Sequence, residues 1–232
     1  MSTIHFIGGE KGGVGKSVVA RLVAQRCIDL HFPFVAFDAD GSHGALLRHY
    51  ADFARPIDLS RFESADEIVT AATNLDQRVI VDLPAQSERF LTTWINDAQI
   101  LDLAAECQVN VVFWHVIDDG KDSITTLERM LDQHGGSARF VVVKNRGRGR
   151  DFGLFERSST LQKAESMGAI VVDLPPLFPP VMQKVDQHDA SFWAAAHNMT
   201  FAPESFARMD RQRLRVWLSA AAQQFDKLGP WF

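Results

Sequence analysis

The chain has few cysteines, no long apolar run and no signal-peptide pattern. Its 232 residues include only two cysteines, Cys27 and Cys107, in apolar segments far apart, where we expect buried free thiols rather than a disulfide. No apolar run approaches the roughly 20 residues that span a bilayer. The first residues enter an apolar strand pattern instead of a leader. These absences predict a cytoplasmic protein without a membrane anchor.

Basic residues are outnumbered by acidic ones. The chain has 24 lysines and arginines and 29 aspartates and glutamates, so its formal net charge is −5. Bulk attraction to nucleic acid or anionic lipid is therefore not expected, and such binding would need a local basic patch. The eight histidines show no metal-ligand spacing, and the six-residue separation of His43 and His49 would not place both on one helix face.

What the chain does contain is a regular alternation of short apolar runs and longer helical patterns. We expect strands at residues 3–7, 34–37, 79–81, 109–115, 139–143 and 169–172. We expect helices to begin near Lys16, Gly44, Ser64, Asp97, Lys121, Phe155 and Pro203. This order predicts an α/β fold over residues 1–232, with a mostly parallel twisted sheet and helices on both faces. The proline-rich residues 174–180 predict a rigid loop over a ligand.

Residues 8–17, with the sequence GGEKGGVGKS, are typical of a phosphate-binding loop. They lie between an apolar strand pattern and a helical pattern, so glycine N–H groups and the helix N-terminus can surround a polyphosphate. Lys16 can reach the β/γ oxygens and the Ser17 hydroxyl can ligate Mg²⁺. An ordinary loop of this kind does not need the second lysine, Lys11. The expected nucleotide contacts are Glu10, Lys11, Gly12, Gly13, Val14, Gly15, Lys16, Ser17 and Val18.

Polar residues follow several of the predicted strands: Asp38 and Asp40 after the second, Asp82 after the third, and residues 144–146 after the fifth. In open parallel sheets, ligands bind at the carboxyl ends of the strands. These side chains and the phosphate loop are therefore expected to meet at one edge. An apolar strand that ends in an aspartate, as this one does at Asp82, is typical of nucleotide sites. There the carboxylate accepts a hydrogen bond from a Mg²⁺-bound water.

The segment KGGVGKS, residues 11–17, resembles the deviant phosphate loop of the ParA/MinD family of ATPases, which includes nitrogenase iron protein and the arsenite pump ATPase. Glu10 replaces the first glycine of the general pattern, which the family often lacks. The resemblance implies a three-layer P-loop NTPase fold that binds ATP and Mg²⁺. It further implies that Lys16 binds phosphates within its own chain, whereas Lys11 reaches those of the partner in a nucleotide-sandwich homodimer.

The same resemblance assigns roles to the other strand-end residues. Asp40 would orient the attacking water, and Asp38 and Asp82 would lie with Ser17 around Mg²⁺. Asn145 would read adenine through its amide, which offers one donor and one acceptor. Arg146 and the loop at Pro175 would lie against the base.

A finer likeness connects residues 100–131 and 207–214 with TraL-type proteins of conjugative plasmids, which are ParA-like ATPases encoded with mobilisation genes. It implies a switch-type, slowly hydrolysing ATPase in plasmid transfer, mobilisation or partition. Two alternatives stay open: a regulatory adaptor of the cellulose-secretion or polar-localisation type that acts on a protein partner, and a phosphoryl-transfer enzyme of the dethiobiotin synthetase type.

Two surface features bear on partners. Possible non-specific DNA contacts are Lys144, Arg146, Arg148 and Arg150, with a further arginine cluster at residues 208–215; an ordinary solvated surface is the alternative. Near the C-terminus an apolar helical stripe comprises Trp217, Ala221, Phe225 and Leu228. We expect this stripe to pack on its own domain, because the polar face is short of the lysines that a lipid-binding helix uses.

Overall fold

The computed structural model describes residues 2–9, 11–41 and 44–232. Within them one parallel sheet has the strand order β3-β2-β4-β1-β5-β6-β7. Its strands are β1 (Thr3–Gly8), β2 (Phe34–Asp38), β3 (Ala54–Pro56), β4 (Arg78–Asp82), β5 (Asn110–Ile117), β6 (Arg139–Asn145) and β7 (Ile170–Leu174). The predicted fold class is confirmed.

Helices connect the strands and cover both faces of the sheet. They are α1 (Lys16–Asp29), α2 (Ala45–His49), α3 (Phe62–Asn74), α4 (Glu88–Asp97), α5 (Ile100–Glu106), α6 (Lys121–His134), α7 (Gly153–Glu156), α8 (Ser159–Ser166), α9 (Pro179–Gln187), α10 (Phe192–His197) and α11 (Arg208–Phe225), followed by a 3-10 helix, Asp226–Trp231. Among the residues described, no helix is both long and apolar enough to cross a bilayer.

The strands are apolar on both faces because each face supports its own core layer. Phe6 and Ile7 are neighbours in β1, and their side chains enter opposite layers. Phe6 stacks on Phe113 with ring centroids 5.4 Å apart, whereas Ile7 shares its layer with α1 and α11. Alternation of side chains along a central strand thus fixes the three-layer arrangement.

The C-terminal stripe packs on the sheet, as predicted. Trp217, Ala221, Phe225 and Leu228 are all buried, and the ring of Phe225 lies edge-on to Trp114 at 5.0 Å between centroids. The indole Nε1 of Trp217 also donates to the carbonyl oxygen of Pro175, across 2.7 Å. The helix α11 therefore positions the loop that follows β7.

Several expectations differ from the structure. The edge strand β3 has only three residues and was not predicted, and α4 was not predicted either. The helix expected to begin near Asp97 is α5, which begins at Ile100. The proline-rich segment is a loop only as far as Phe178, because Pro179 and Pro180 begin α9. Proline suits the first turn of a helix, where backbone N–H groups have no partner within the helix. Cys107 is exposed, so the expectation that both thiols are buried was wrong for it.

Candidate functional site

The register of the sheet brings the predicted strand ends together. Asp38 in β2 lies opposite Asp82 in β4, and Asp82 also lies opposite Ile7 in β1, just before the phosphate loop. On the other side, Gly8 lies opposite His115 in β5. The expected convergence at the carboxyl edge is confirmed for these strands.

The phosphate loop needs glycine at two positions where other chain segments approach closely. Gly15 has φ 100°, and a Cβ there would lie 2.3 Å from Nδ2 of Asn145. At Gly9, with φ 139°, a Cβ would lie 2.6 Å from the carbonyl oxygen of Val116. Both positions combine a left-handed backbone with contacts too short for a side chain. Glu10, predicted as a nucleotide contact, lies outside the described residues.

Lys16, at the first position of α1, is one of the few buried lysines, with 8% of its surface exposed. Its Nζ donates to the carbonyl oxygen of Lys11 across 3.1 Å. The ammonium group thus lies across the interior of the loop. This position suits a cation that binds a polyphosphate inside the loop.

Lys11 extends out of the loop toward the end of β5. Its Nζ lies 2.6 Å from Oδ2 of Asp118, and this hydrogen bond is the main cause of a raised pKa at Lys11. Burial opposes ionisation of Asp118, but hydrogen bonds from Lys11, Ser123 and Gly120 outweigh it and lower the pKa of this carboxyl. Sequence reasoning missed Asp118; the only available signal was its place just after a strand whose end reaches the same edge.

Asp38 connects the end of β2 to the next helix. One of its oxygens accepts from the N–H of Asp40 at 3.1 Å, and the other accepts from Leu46 and Leu47 at 2.8 and 3.2 Å. Burial raises the pKa of Asp38, and the three backbone donors partly offset that rise. Asp38 thereby fixes Asp40 and the start of α2 relative to the phosphate loop.

Asp82 is buried, and among the described residues neither of its carboxylate oxygens has a hydrogen-bond partner. Burial, reinforced by the charge of Asp38, raises the pKa of Asp82 to about 7, while Ser17 and Lys16 act in the opposite direction. The Ser17 hydroxyl lowers the pKa of Asp82, although it lies outside regular hydrogen-bond geometry. A buried carboxylate without a partner stays ionised only beside a cation or a polarised water, and otherwise takes up a proton.

The donor set at Asp82 fits a hard cation such as Mg²⁺, which prefers carboxylate, hydroxyl and water oxygens. Across the residues that the structure describes, no group of three or more His, Cys, Asp and Glu side chains could form an all-protein metal cage. This pattern suits Mg²⁺, which keeps several waters and binds proteins through one or two side chains together with substrate phosphates.

Asn145, at the end of β6, braces the phosphate loop. Its Nδ2 donates to the carbonyl oxygen of Val14 across 2.7 Å, and its Oδ1 accepts from the N–H of Gly147 at 3.0 Å. The side chain also lines a cavity of about 280 Å³. Other residues around this cavity are Val18, Arg148, Pro175, Leu177 and Trp217. The walls combine apolar side chains with polar ones such as Asn145 and Arg148, a mixture that suits a planar base with polar edges. The adenine contacts of Asn145 and Pro175 stay a prediction.

The proposed basic patch is smaller than the sequence predicted. Lys144 belongs to β6, is only 8% exposed, and pairs with Glu156 at 3.0 Å and Asp173 at 3.1 Å. Arg146 pairs with Asp173 at 2.7 Å. Including Lys144 in a DNA-binding patch was therefore wrong, because its charge is neutralised inside the fold.

The Arg146 side chain is 38% exposed, but its guanidinium pairs with Asp173 and stacks on Phe152 at 5.3 Å from the ring centroid, so less of its charge is available to a phosphate. In the second arginine cluster, Arg211 is 1% exposed and donates to the carbonyl oxygens of Ala195 and Phe201. Arg148 and Arg150 are exposed and remain candidates for phosphate contacts.

Comparison with known proteins supports the predicted likeness. No protein-family model matches the chain. The protein TraL of Escherichia coli is 23% identical over 97% of this chain and 98% of its own length. The likeness to TraL, expected from the sequence, is thus confirmed at the level of a distant relative.

Three solved structures share the fold. The septum site-determining protein MinD of Pyrococcus horikoshii OT3, complexed with Mg-ADP, superposes with a TM-score of 0.57 at 15% identity, over 99% of this chain and 98% of that one. A nucleotide-binding protein of Archaeoglobus fulgidus in complex with ADP gives 0.55 at 15% identity, over 90% and 93%. MinD in the MinC:MinD cell division complex of Aquifex aeolicus gives 0.51 at 14% identity, over 94% and 96%. The MinD-like P-loop fold is confirmed.

Proposed function

We propose that the chain is a Mg²⁺-dependent ATPase that works as a nucleotide-switched homodimer. The observation that carries this proposal is the buried carboxylate of Asp82, without a hydrogen-bond partner among the described residues, beside Ser17 and the buried Lys16 at a phosphate loop. A carboxylate, a hydroxyl and a lysine in this arrangement suit a nucleoside triphosphate and its metal. The fold shared with an ADP complex and a Mg-ADP complex of other proteins supports the same ligand.

Each residue of the proposed site would have a separate role in ATP binding or hydrolysis. Lys16 would neutralise the β/γ phosphates, and the N–H groups of the glycine loop would donate to their oxygens. Mg²⁺, when bound by Ser17 and Asp82 with Asp38 nearby, would neutralise developing negative charge on the phosphates. Asp40, whose backbone is fixed by Asp38, would orient the attacking water.

The second lysine distinguishes a switch from an ordinary ATPase. Lys11 extends out of the loop and its side chain is 41% exposed. It is therefore accessible to a facing chain, where its charge would neutralise ATP phosphates in trans. Loss of the γ-phosphate on hydrolysis would weaken this contact and separate the dimer.

The biological setting follows the distant relative. Likeness to TraL supports a role in plasmid DNA transfer, mobilisation or partition. Direct DNA binding is less well supported because Lys144 is buried and Arg146 is paired with Asp173. An adaptor role with a protein partner is therefore the second candidate. MinD in its complex with MinC offers a precedent for such a partner.

The proposal is tested by ATP binding and hydrolysis of the purified chain. Lys16→Ala should abolish ATP binding, because no other cation occupies the interior of the described part of the loop.

Asp40→Ala should still bind ATP but should stop hydrolysis and accumulate the ATP-bound dimer. Hydrolysis at the wild-type rate by Asp40→Ala would contradict the water-orienting role.

A further inference from the structure

The Lys11 ammonium has a partner within its own chain. Its Nζ lies 2.6 Å from Oδ2 of Asp118, which is 107 residues away in sequence. The phosphate loop supplies the cation and the turn after β5 supplies the carboxylate. The contact therefore connects two separate strand ends at the edge where the nucleotide is proposed to bind.

The Asp118 carboxylate is held in place by its surroundings. Its Oδ1 accepts from the Ser123 hydroxyl at 2.7 Å and from the N–H of Gly120 at 3.0 Å. Its side chain is 13% exposed, whereas that of Lys11 is 41% exposed. Asp118 is thus a fixed acceptor, and Lys11 is the partner that can move away.

The surroundings of the pair also favour Lys11 in this position. A Cβ on Gly120 would lie 3.0 Å from Nζ of Lys11, so glycine leaves room for the ammonium group. The carboxylates of Asp119 and Asp122 add negative potential at Lys11. Only Asp118 contacts Lys11 directly among these acidic residues.

We propose that Asp118 retains Lys11 in its own chain, and that ATP-driven pairing requires Lys11 to exchange this carboxylate for the phosphates of the facing chain. This inference rests on the proposed nucleotide-switched dimer. A carboxylate and a polyphosphate that shared one ammonium would repel each other, so the two contacts compete. Asp118 is then a brake that raises the ATP concentration at which dimers form.

Asp118→Asn tests the brake, since an amide keeps the size of the side chain and removes its charge. Exposed ion pairs contribute little, so the ATP concentration for half-maximal dimerisation should fall by roughly three- to fivefold. Asp122→Asn is the matched control: it removes a charge near Lys11 without breaking its direct contact, and should change this concentration much less. In a Lys11→Ala background, which should stay monomeric, Asp118→Asn should not restore dimers.

Static light scattering during ATP titration gives the readout. An unchanged or higher ATP requirement for Asp118→Asn overturns the brake, while a dimerising wild type leaves the proposed function intact. If the wild type stays monomeric but Asp118→Asn forms dimers, the brake is supported in a stronger form. If neither protein dimerises, both the brake and the proposed switch are wrong.

A second measurement tests the ion pair in the monomer, independently of ATP. After reductive methylation with ¹³C-formaldehyde, the Lys11 resonance, assigned by its absence in Lys11→Ala, is followed against pH. The pKa of methylated Lys11 should be lower in Asp118→Asn than in the wild type, with Asp122→Asn in between. Equal values in Asp118→Asn and the wild type would show that the contact does not form, and would overturn the proposal.

Discussion

Nδ2 of Asn145 donates to the carbonyl oxygen of Val14 across 2.7 Å, so the end of β6 holds the phosphate loop from the side. The same amide nitrogen would lie 2.3 Å from a Cβ on Gly15. Asn145 therefore supports the phosphate loop, and the adenine contact that the family resemblance implies for it stays a prediction.

Asn145→Ala separates these two roles. A buried hydrogen bond contributes about 1 kcal/mol, so loss of the brace should weaken binding of both ATP and inorganic triphosphate by roughly fivefold. Isothermal titration calorimetry with the two ligands provides the measurement. Weakened ATP binding with unchanged triphosphate binding would instead assign Asn145 to the base alone.

Asp82→Asn tests the magnesium site. The amide cannot replace the charge of the carboxylate, so the extra thermal stability that Mg²⁺ gives in the presence of ATP should disappear. Differential scanning calorimetry with ATP alone and with Mg-ATP measures this increment. Asp97→Asn, an exposed carboxylate at the end of α4, should behave as wild type. A full magnesium increment in Asp82→Asn would contradict the assignment.

Buried histidines predict loss of stability in acid. Burial lowers the pKa of His5 to about 3 and those of His49 and His115 to about 4. The unfolded chain binds protons at these groups below about pH 6.5, whereas the folded chain stays neutral there. The three histidines should therefore lower the free energy of unfolding as pH decreases from 6.5 toward 4, by up to about 1.4 kcal/mol per pH unit each. The raised pKa of Asp82 acts in the opposite direction over this range, but it is one group against three.

His5→Gln should reduce this pH dependence by about one proton. His5 lies in β1 away from the phosphate loop, accepts at Nδ1 from Trp114 Nε1 at 3.1 Å, and has no partner for Nε2 among the described residues. Urea unfolding at several pH values measures the slope. A slope equal to that of the wild type would show that His5 is not the group that titrates.

Arg148 and Arg150 carry the remaining hypothesis of DNA contact. If the chain binds duplex DNA, their joint replacement by alanine should weaken ATP-dependent retention and reduce the salt slope by about two. Arg146→Ala is the control, because its charge is already paired with Asp173. Equal losses from the control and the double variant would contradict this surface as the contact.

The phosphate loop and its neighbouring strand ends could be predicted because parallel strands must end at one edge, wherever the helices between them pack. Other features depend on distances in the folded chain that a sequence pattern does not show. The strand β3 is three residues long and includes Pro56, so it is too short to show the apolar–polar alternation of a strand. The pairing of Lys11 with Asp118 depends on the register of β5 against β1, which periodicity alone does not specify.

Burial of Lys144 could not be predicted for a related reason. The apolar run of β6 ends at Val143, yet the strand continues to Asn145. Glu156 and Asp173 surround the Lys144 ammonium and allow it to be buried. Both partners come from later elements, so the residue reads as an ordinary loop cation in the sequence.

The most direct test of the account is the mass of the Lys11→Ala variant with ATP, measured by size-exclusion chromatography with light scattering. We predict that wild type and Lys121→Ala, which changes an exposed lysine at the start of α6, shift from monomer to dimer when ATP and Mg²⁺ are added. Lys11→Ala should bind ATP and remain monomeric. A Lys11→Ala dimer that forms at the wild-type ATP concentration would contradict the claim that Lys11 acts across the interface.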